Sequence, residues 1–331
     1  MRILHCVFTR SLFGSERYAA DLARLQRQMG HEVHIAVDPR AEVQTILSPG
    51  ITVHRVPWLA RRLRLKRLIA TLKPDIAHAH LSAACKALGA IAKRPPAVAT
   101  LHVGYKPKQH ARLDGLIALT EGAAARIHGY RGKVTRLWNW APAMADPGPE
   151  ARAAIRGELG VGPQTFLVGF VGRLHPSKDP QTLVRAFRAA ALADSMLALA
   201  GEGPERADVE RLAAGDPAIR LLGYRTDAPA LYRAFDLFVL PSRFEQVPLA
   251  VLEAMQAGLP MAVSNIESLA EFVPAPPAHL FPPGDHGALA AILAAERAKG
   301  QRRETWDLSP FDPKAQAART MDFYAAVIGR P

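Results

Sequence analysis

Short apolar, β-branched runs alternate with helical periodicity along this chain, and the series occurs twice. In the first half the runs are Ile3–Phe8, Val33–Val37, Ile51–Val56, Ile76–His80, Val98–His102, Leu116–Leu119 and Val134–Trp138. Between them lie helical patterns such as Tyr18–Met29, with Leu22, Leu25 and Met29 on one face. Runs this short and this apolar fit strands buried on both faces, and the helices between them supply the covers, so a parallel sheet is expected. The stretch APAMADPGPE at 141–150 breaks the pattern and reads as a linker. A second series follows, with runs at Phe166–Val171, Leu197–Ala200, Ile219–Leu222, Leu237–Leu240 and Met261–Ser264, and helices such as Gln181–Ala193 and Leu249–Ala257. The expected fold class is α/β, with two Rossmann-like doubly wound domains. Such sheets bind ligands at loops beyond the carboxyl ends of their strands, so two of them facing a central cleft would share one site. The expected organisation is a first domain over 1–143, a linker over 144–151, a second domain over 152–312 and a terminal helical segment over 313–331 that could return to brace the first domain.

Bulk properties narrow the class. A chain of 331 residues fits two domains, and 49% hydrophobic with 22% charged residues allows a real core. No apolar run approaches the ~20 residues that span a bilayer, and the start MRILHCVFTR is too short in apolar residues for a signal peptide. A cytoplasmic location is expected. Cys6 sits in an apolar run and reads as core; with Cys85 it makes neither a disulfide framework nor a zinc site. The net charge of +12 is lopsided: residues 1–150 hold 23 Lys+Arg and 10 Asp+Glu, leaving 19 and 20 for the rest. An anionic partner for the first domain follows from that asymmetry.

The second half carries the informative motifs. After the run ending at Val171 come Gly172, Arg173 and Leu174, then Lys178. Two cations at a strand's carboxyl end, ahead of a helix, suit a diphosphate: Arg offers a planar fork, Lys a mobile point charge, and the helix its positive end. The pair reads equally as two solvated loop cations. Then PSRFEQVPLAVLEAM places Glu245 in a turn and Glu253 about one turn into a helix. Carboxylates accept paired hydrogen bonds from vicinal diols, and backbone N–H groups at 247–250, at the helix start, suit a phosphate. A helix-opening Glu that favours the dipole explains Glu245 as well; the apolar Leu252, Ala254 and Met255 make a purely exposed role for Glu253 a poor fit.

These segments resemble the donor-binding signature of glycosyltransferase family 4, which has the GT-B fold. PSRFEQVPLAVLEAMQAGLP and GRLHPSKD resemble its donor segment and G-R-L-x-x-x-K loop. FGSER with MGHEVHIAV, TLHVG at 100–104 and WNWAP at 138–142 are similar to its G-G-x-E loop, T-x-H-G segment and closing N-G-V-D stretch. The resemblance runs over nearly the whole chain. It implies that Arg173 and Lys178 hold the donor diphosphate, Glu253 the ribose diol and Glu245 the hydroxyls of the transferred sugar. It implies that Gly14 lets a loop approach phosphates closely and that His102 meets the reacting face of the sugar; without the resemblance His102 reads as a satisfied strand-end histidine. Gln246 and Val247 stand where the family usually has Gly-Phe, Phe13 where it has a first glycine, and only Asn139 survives of N-G-V-D. Together with Leu249, Gln246 and Val247 complete the expected donor-binding set.

The implied reaction is hexosyl transfer from a UDP- or GDP-sugar to a lipid-linked or saccharide acceptor, with the anomeric configuration retained, as in glycolipid, lipopolysaccharide or exopolysaccharide assembly. Fixed cations would stabilise the leaving nucleotide. No Asp-x-Asp motif occurs, so neither a metal nor another cofactor is expected. The stretch WLARRLRLKRLIATLK at 58–73 interleaves Arg61, Arg62, Arg64, Lys66 and Arg67 with apolar residues. It reads either as an amphipathic segment for an anionic membrane surface, giving peripheral attachment at the cytoplasmic face of the inner membrane, or as a core-packed helix with a solvated basic face. Rival readings are a nucleotide-sugar epimerase of the same fold, a non-catalytic binding subunit and, from the pI of about 10.1, a nucleic-acid-binding protein. No nucleic-acid module is recognisable, so nucleic acid is not an expected partner.

Overall fold

The computed structural model describes residues 1–141 and 144–329. Pro142 of the WNWAP stretch, position 143 at the predicted end of the first domain, and 330–331 of the predicted terminal segment lie outside them. The chain divides into two compact units, Met1–Pro142 with Ser309–Pro331, and Ala143–Leu308.

The first unit runs β1 (Arg2–Val7), α1 (Gly14–Gln28), β2 (Glu32–Val37), β3 (Thr52–Arg55), α2 (Arg61–Leu72), β4 (Ile76–His80), α3 (Leu81–Gly89), β5 (Ala97–Thr100), α4 (Pro107–His110), β6 (Gly115–Ala118), α5 (Glu121–Ala125) and β7 (Lys133–Arg136). The second runs α6 (Ala151–Leu159), β8 (Phe166–Val171), α7 (Pro180–Ala190), β9 (Ser195–Ala200), α8 (Arg206–Ala213), β10 (Ile219–Gly223), α9 (Ala228–Ala234), β11 (Leu237–Leu240), α10 (Leu249–Gln256), β12 (Met261–Ser264), α11 (Glu267–Phe272), β13 (His279–Phe281) and α12 (His286–Lys299). The closing helix α13 (Pro313–Ile328) belongs to the first unit.

Among the described residues the sheets are seven- and six-stranded, in the orders β3-β2-β1-β4-β5-β6-β7 and β10-β9-β8-β11-β12-β13. Every recorded ladder is parallel, as in β1 on β4 with Ile3 opposite Ile76 and His5 opposite His78. Both orders reverse direction once, between β1 and β4 and between β8 and β11. These are the topological switch points where doubly wound sheets leave a crevice.

The inner strands are largely apolar on both faces because both faces are covered. On one side of the first sheet Leu4, Cys6, Ala77, Ala79, Ala99 and Leu101 pack with Leu65 and Ile69 of α2 and Cys85 of α3. On the other, Ile3, Ile76, Val98 and Ile117 pack with Met321, Phe323 and Tyr324 of α13. Cys6 and Cys85 are both buried and unbridged, and burial pushes the Cys85 thiol up to about 12. In the second unit a buried ion cluster fixes the sheet's base. Asp236 accepts from Arg152 Nη2 at 2.6 Å, Arg156 Nη1 at 3.2 Å and the Leu167 backbone N–H at 2.9 Å.

One strand lies outside the sequence expectation. Strand β13 pairs with β12 from His279 opposite Ala262 to Phe281 opposite Ser264. Its three residues stand between the prolines of 274–277 and 282–283, so no periodicity marks them.

Candidate functional site

The β8–β11 ladder consists of two pairs, Leu237 opposite Val168 and Phe238 opposite Gly169. Beyond them the chain continues into two loops, residues 172–179 after β8 and 241–248 after β11. Backbone bonds stitch these loops together: Arg243 N donates to Ser177 O at 2.9 Å, and Phe244 N to the same oxygen at 3.3 Å. Asp179 anchors the seam. Its backbone is left-handed (φ 46°), its side chain accepts from Thr182 N at the start of α7, and it pairs with Arg243 Nε at 2.8 Å.

The seam brings two of the sequence-predicted residues into direct contact. Lys178 Nζ donates to Glu245 Oε1, and both side chains are mostly buried. Ser242 Oγ donates to the same oxygen at 2.7 Å. Arg173 is exposed on the β8 loop. Glu253 lies on α10, half-buried, and accepts from Tyr232 Oη at 2.9 Å. That contact and burial act together on Tyr232, whose hydroxyl is driven well above its ordinary range, burial first. Gln246 is buried, and its Oε1 has no hydrogen-bond partner among the described residues. An unpaired buried carbonyl is costly, and a ligand hydroxyl or amide would satisfy it. Val247 and Leu249 are buried at the start of α10. The expectation of N–H donors throughout 247–250 needs correction: Pro248 is the N-cap and has no N–H, so the helix start offers Leu249 and Ala250.

Sequence reasoning missed the third loop of this edge. After β9, Gly201 (φ 147°) and Gly203 (φ 158°) run against the β8 loop; a Cβ at Gly201 would meet Gly172 O at 1.8 Å and one at Gly203 would meet Leu174 O at 2.2 Å. Only glycine allows this approach. It lets Leu174 N donate to Glu202 O at 3.0 Å and Glu205 N to Leu174 O at 2.9 Å, which fixes the loop carrying Arg173 and Lys178. Two glycines closely following a buried strand were the available signal.

In the first unit Gly14 is the first residue of α1. Glu16, two residues on, is buried and organises its own loop, accepting from Thr9 Oγ1 at 2.5 Å, Phe13 N at 3.0 Å and Ser15 Oγ at 2.9 Å. His102 lies two residues past β5, partly buried. Behind it stands a row of histidines that the sequence reading did not single out. His5, His78 and His80 share the sheet face covered by α1 and α13, because residues two apart, and residues paired across a parallel ladder, point the same way. His5 contacts Gln26 Oε1 through Nε2 at 2.7 Å and His80 Nε2 through Nδ1 at 3.0 Å. His80 Nδ1 reaches His102 Nε2 at 3.3 Å. His78 bonds Tyr324 Oη at 2.5 Å and Thr100 Oγ1 at 2.9 Å. Burial lowers His5 to about 4 and His102 to about 3, and lowers His78 and His80 well below the usual range, with the neighbouring histidines adding to the effect. All four rings are neutral at pH 7.

The basic stretch forms α2. Arg62, Arg64, Lys66 and Arg67 are exposed, beside exposed Trp58, Leu59 and Leu63. Arg61 is the exception to its assignment to this patch. It turns inward to Asp38 Oδ2 at 2.7 Å and lies over the Phe8 ring at 4.4 Å, so it holds α2 to the sheet. Among the described residues no helix is long and apolar enough to cross a membrane.

Residues 14–162 match Glycosyltransferase Family 4, and residues 165–295 match Glycosyl transferases group 1. The UDP-Gal:alpha-D-GlcNAc-diphosphoundecaprenol alpha-1,3-galactosyltransferase of Escherichia coli is 38% identical over 116 residues, 33% of this chain, and the match spans only 30% of that protein's length. A D-inositol 3-phosphate glycosyltransferase of Salinispora tropica is 30% identical over 80% of this chain and 70% of its own. The lipopolysaccharide core biosynthesis glycosyltransferase LpsD of Rhizobium meliloti is 26% identical over 81% of this chain and 79% of its own. In fold, the crystal structure of HepE from Anabaena in complex with UDP and glucose superposes with a TM-score of 0.82, covering 98% of this chain and 100% of that one at 19% identity. Matches that run from the start of α1 into α12, through the loops that hold Lys178 and Glu245, make this chain a member of glycosyltransferase family 4, with the GT-B fold.

Proposed function

We propose that the chain is a retaining hexosyltransferase that takes its sugar from a UDP- or GDP-sugar and passes it to a lipid-linked or saccharide acceptor in envelope glycolipid, lipopolysaccharide or exopolysaccharide assembly. The observation that carries this reading is the Lys178–Glu245–Ser242 cluster at the β8/β11 switch point, with Arg173 on the same loop. Arg173 and Lys178 hold the diphosphate and offset the charge that builds on it as the sugar departs. Lys178 does so while its partner Glu245 binds sugar hydroxyls, so one contact ties the leaving group to the transferred group. Glu253, oriented by Tyr232, takes the ribose diol, and Gln246 Oε1 takes a hydroxyl of the sugar. Gly14 keeps the α1 start clear for phosphate, and His102 meets a hydroxyl of the sugar. The departing phosphate accepts the acceptor's proton on the same face, so no protein nucleophile and no metal takes part. The names of the E. coli and R. meliloti relatives support a lipid-linked or lipopolysaccharide acceptor.

A bound donor stabilises the fold by mass action. Thermal shifts with UDP-, GDP- and ADP-sugars therefore test the proposal: one nucleotide class raises the melting temperature, and Lys178→Ala abolishes the rise. No shift with any of them would refute it.

A peripheral membrane position is the second part of the reading, favoured by the exposed Trp58, Leu59 and Leu63 among the cations of α2. Lone exposed apolar residues are ordinary, but three of them set among Arg62, Arg64, Lys66 and Arg67 form a patch suited to an anionic interface.

A further inference from the structure

We propose that His80, held in turn by His5 and Gln26, is a positioning residue that fixes one tautomer of His102, with Nε2–H turned inward and the Nδ1 lone pair left to accept from a sugar hydroxyl. This rests on the reading that His102 meets the sugar. The direction of each bond follows from the end of the chain of contacts. Gln26 presents its carbonyl Oε1 to His5, so His5 Nε2 carries the proton and donates. His5 is neutral, so its Nδ1 has only a lone pair and accepts from His80 Nε2–H. His80 in turn has a bare Nδ1, which accepts from His102 Nε2–H. His102 Nδ1 is then the bare nitrogen, and it has no hydrogen-bond partner among the described residues. The amide of Gln26 also donates from Nε2 to Tyr324 Oη at 3.3 Å, and Tyr324 donates to His78 Nδ1, so the amide's orientation is held at both ends. Tyr18, edge-on to His102 at 5.3 Å between ring centroids, limits the ring's rotation. Asp21 of α1 is engaged by Arg24 and by Trp140 Nε1.

The same cluster could be taken for a metal site, since His5, His78 and His80 bring ligand atoms within 4.8 Å of one another. All six of their ring nitrogens already have hydrogen-bond partners. An ion would have to displace those bonds, so the relay accounts for the cluster and the metal does not.

Nitrogen-15 spectra of histidine-labelled protein at pH 7 test the assignment directly. His102 is expected to show a protonated Nε2 and a bare Nδ1 as a single tautomer; the opposite tautomer, or an average of both, overturns it. So does stoichiometric zinc retained on purification. His80→Leu is expected to release His102 to mixed tautomers and to lower kcat for UDP-glucose hydrolysis about 10-fold with a smaller change in KM. His80→Gln keeps an acceptor towards His102 and a donor towards His5, and restores most of both signals. His102→Ala separates the two claims. Full activity in His102→Ala removes the sugar-contact reading. Impaired His102→Ala beside His80→Leu with wild-type turnover and tautomer removes the relay alone.

Discussion

Lys178 and Glu245 come from loops 67 positions apart in sequence, yet each is the other's partner. On the proposed function, taking Lys178 away removes a cation held where negative charge would develop, and it leaves Glu245 with the Ser242 hydroxyl. Lys178→Ala should therefore lower kcat by about 10²–10³-fold, in the range found for deleted charge-stabilising donors, while the melting temperature stays within a few degrees. Near-normal turnover in that variant would exclude the diphosphate role. Each residue was singled out in the sequence by its loop after an apolar strand and by the family resemblance, but their contact with each other was not legible there. Nor was the histidine row: a histidine inside a strand looks the same whether its partner is water, a metal or another ring, and only the β1–β4–β5 adjacency brings the four together. Arg61 shows the reverse failure. Its charge matches its neighbours, but only the position of Asp38 decides that it points inward.

Elements carry the next set of consequences. Asp179 is the N-cap of helix α7; its side chain accepts from Thr182 N and Oγ1 and holds Arg243. Asp179→Ala should cost about 0.5–2 kcal/mol from the lost cap and also raise the donor KM, because the two donor loops lose one of their ties. A variant that melts lower with unchanged KM would separate the cap from the site. The sheet of the first unit makes a pH prediction. Its buried histidines titrate lower when folded, about 4 for His5 and about 3 for His102, than in the unfolded chain near 6.5. The unfolded state therefore takes up protons first as pH falls. Stability should be full above about pH 6.5 and decline from there towards pH 4, by about 1.4 kcal/mol per pH unit for each histidine involved. Calorimetry between pH 7.5 and 5 checks this; a flat profile would mean that these rings are not buried neutral. Most strands were readable because a run buried on both faces is mostly apolar, as β8 and β11 are. Strand β13 escaped because its three residues owe their conformation to β12, not to any pattern of their own.

The charge of the chain is lopsided along the sequence, with the positive excess confined to the part that includes α2. Flotation with vesicles should recover the protein with anionic lipid and not with neutral lipid, and charge reversal at Arg62, Arg64, Lys66 and Arg67 together should abolish the difference. Equal recovery from both vesicle types would rule out electrostatic docking. On the proposed function, activity should survive excess EDTA, since fixed side chains would offset the charge on the leaving nucleotide; a loss that magnesium restores would overturn that assignment.

The return of α13 to the first unit has a consequence for how the protein is made. Tyr324 supplies the hydroxyl that bonds both Gln26 and His78, and Met321 and Phe323 complete the apolar layer over Ile3, Ile76 and Val98. In chain order the first unit is thus completed after the whole of the second has been synthesised. A released chain truncated after residue 308 should contain a protease-resistant second unit and a first unit that is still cut, and a synthetic peptide of residues 309–329 added in trans should close that unfinished edge.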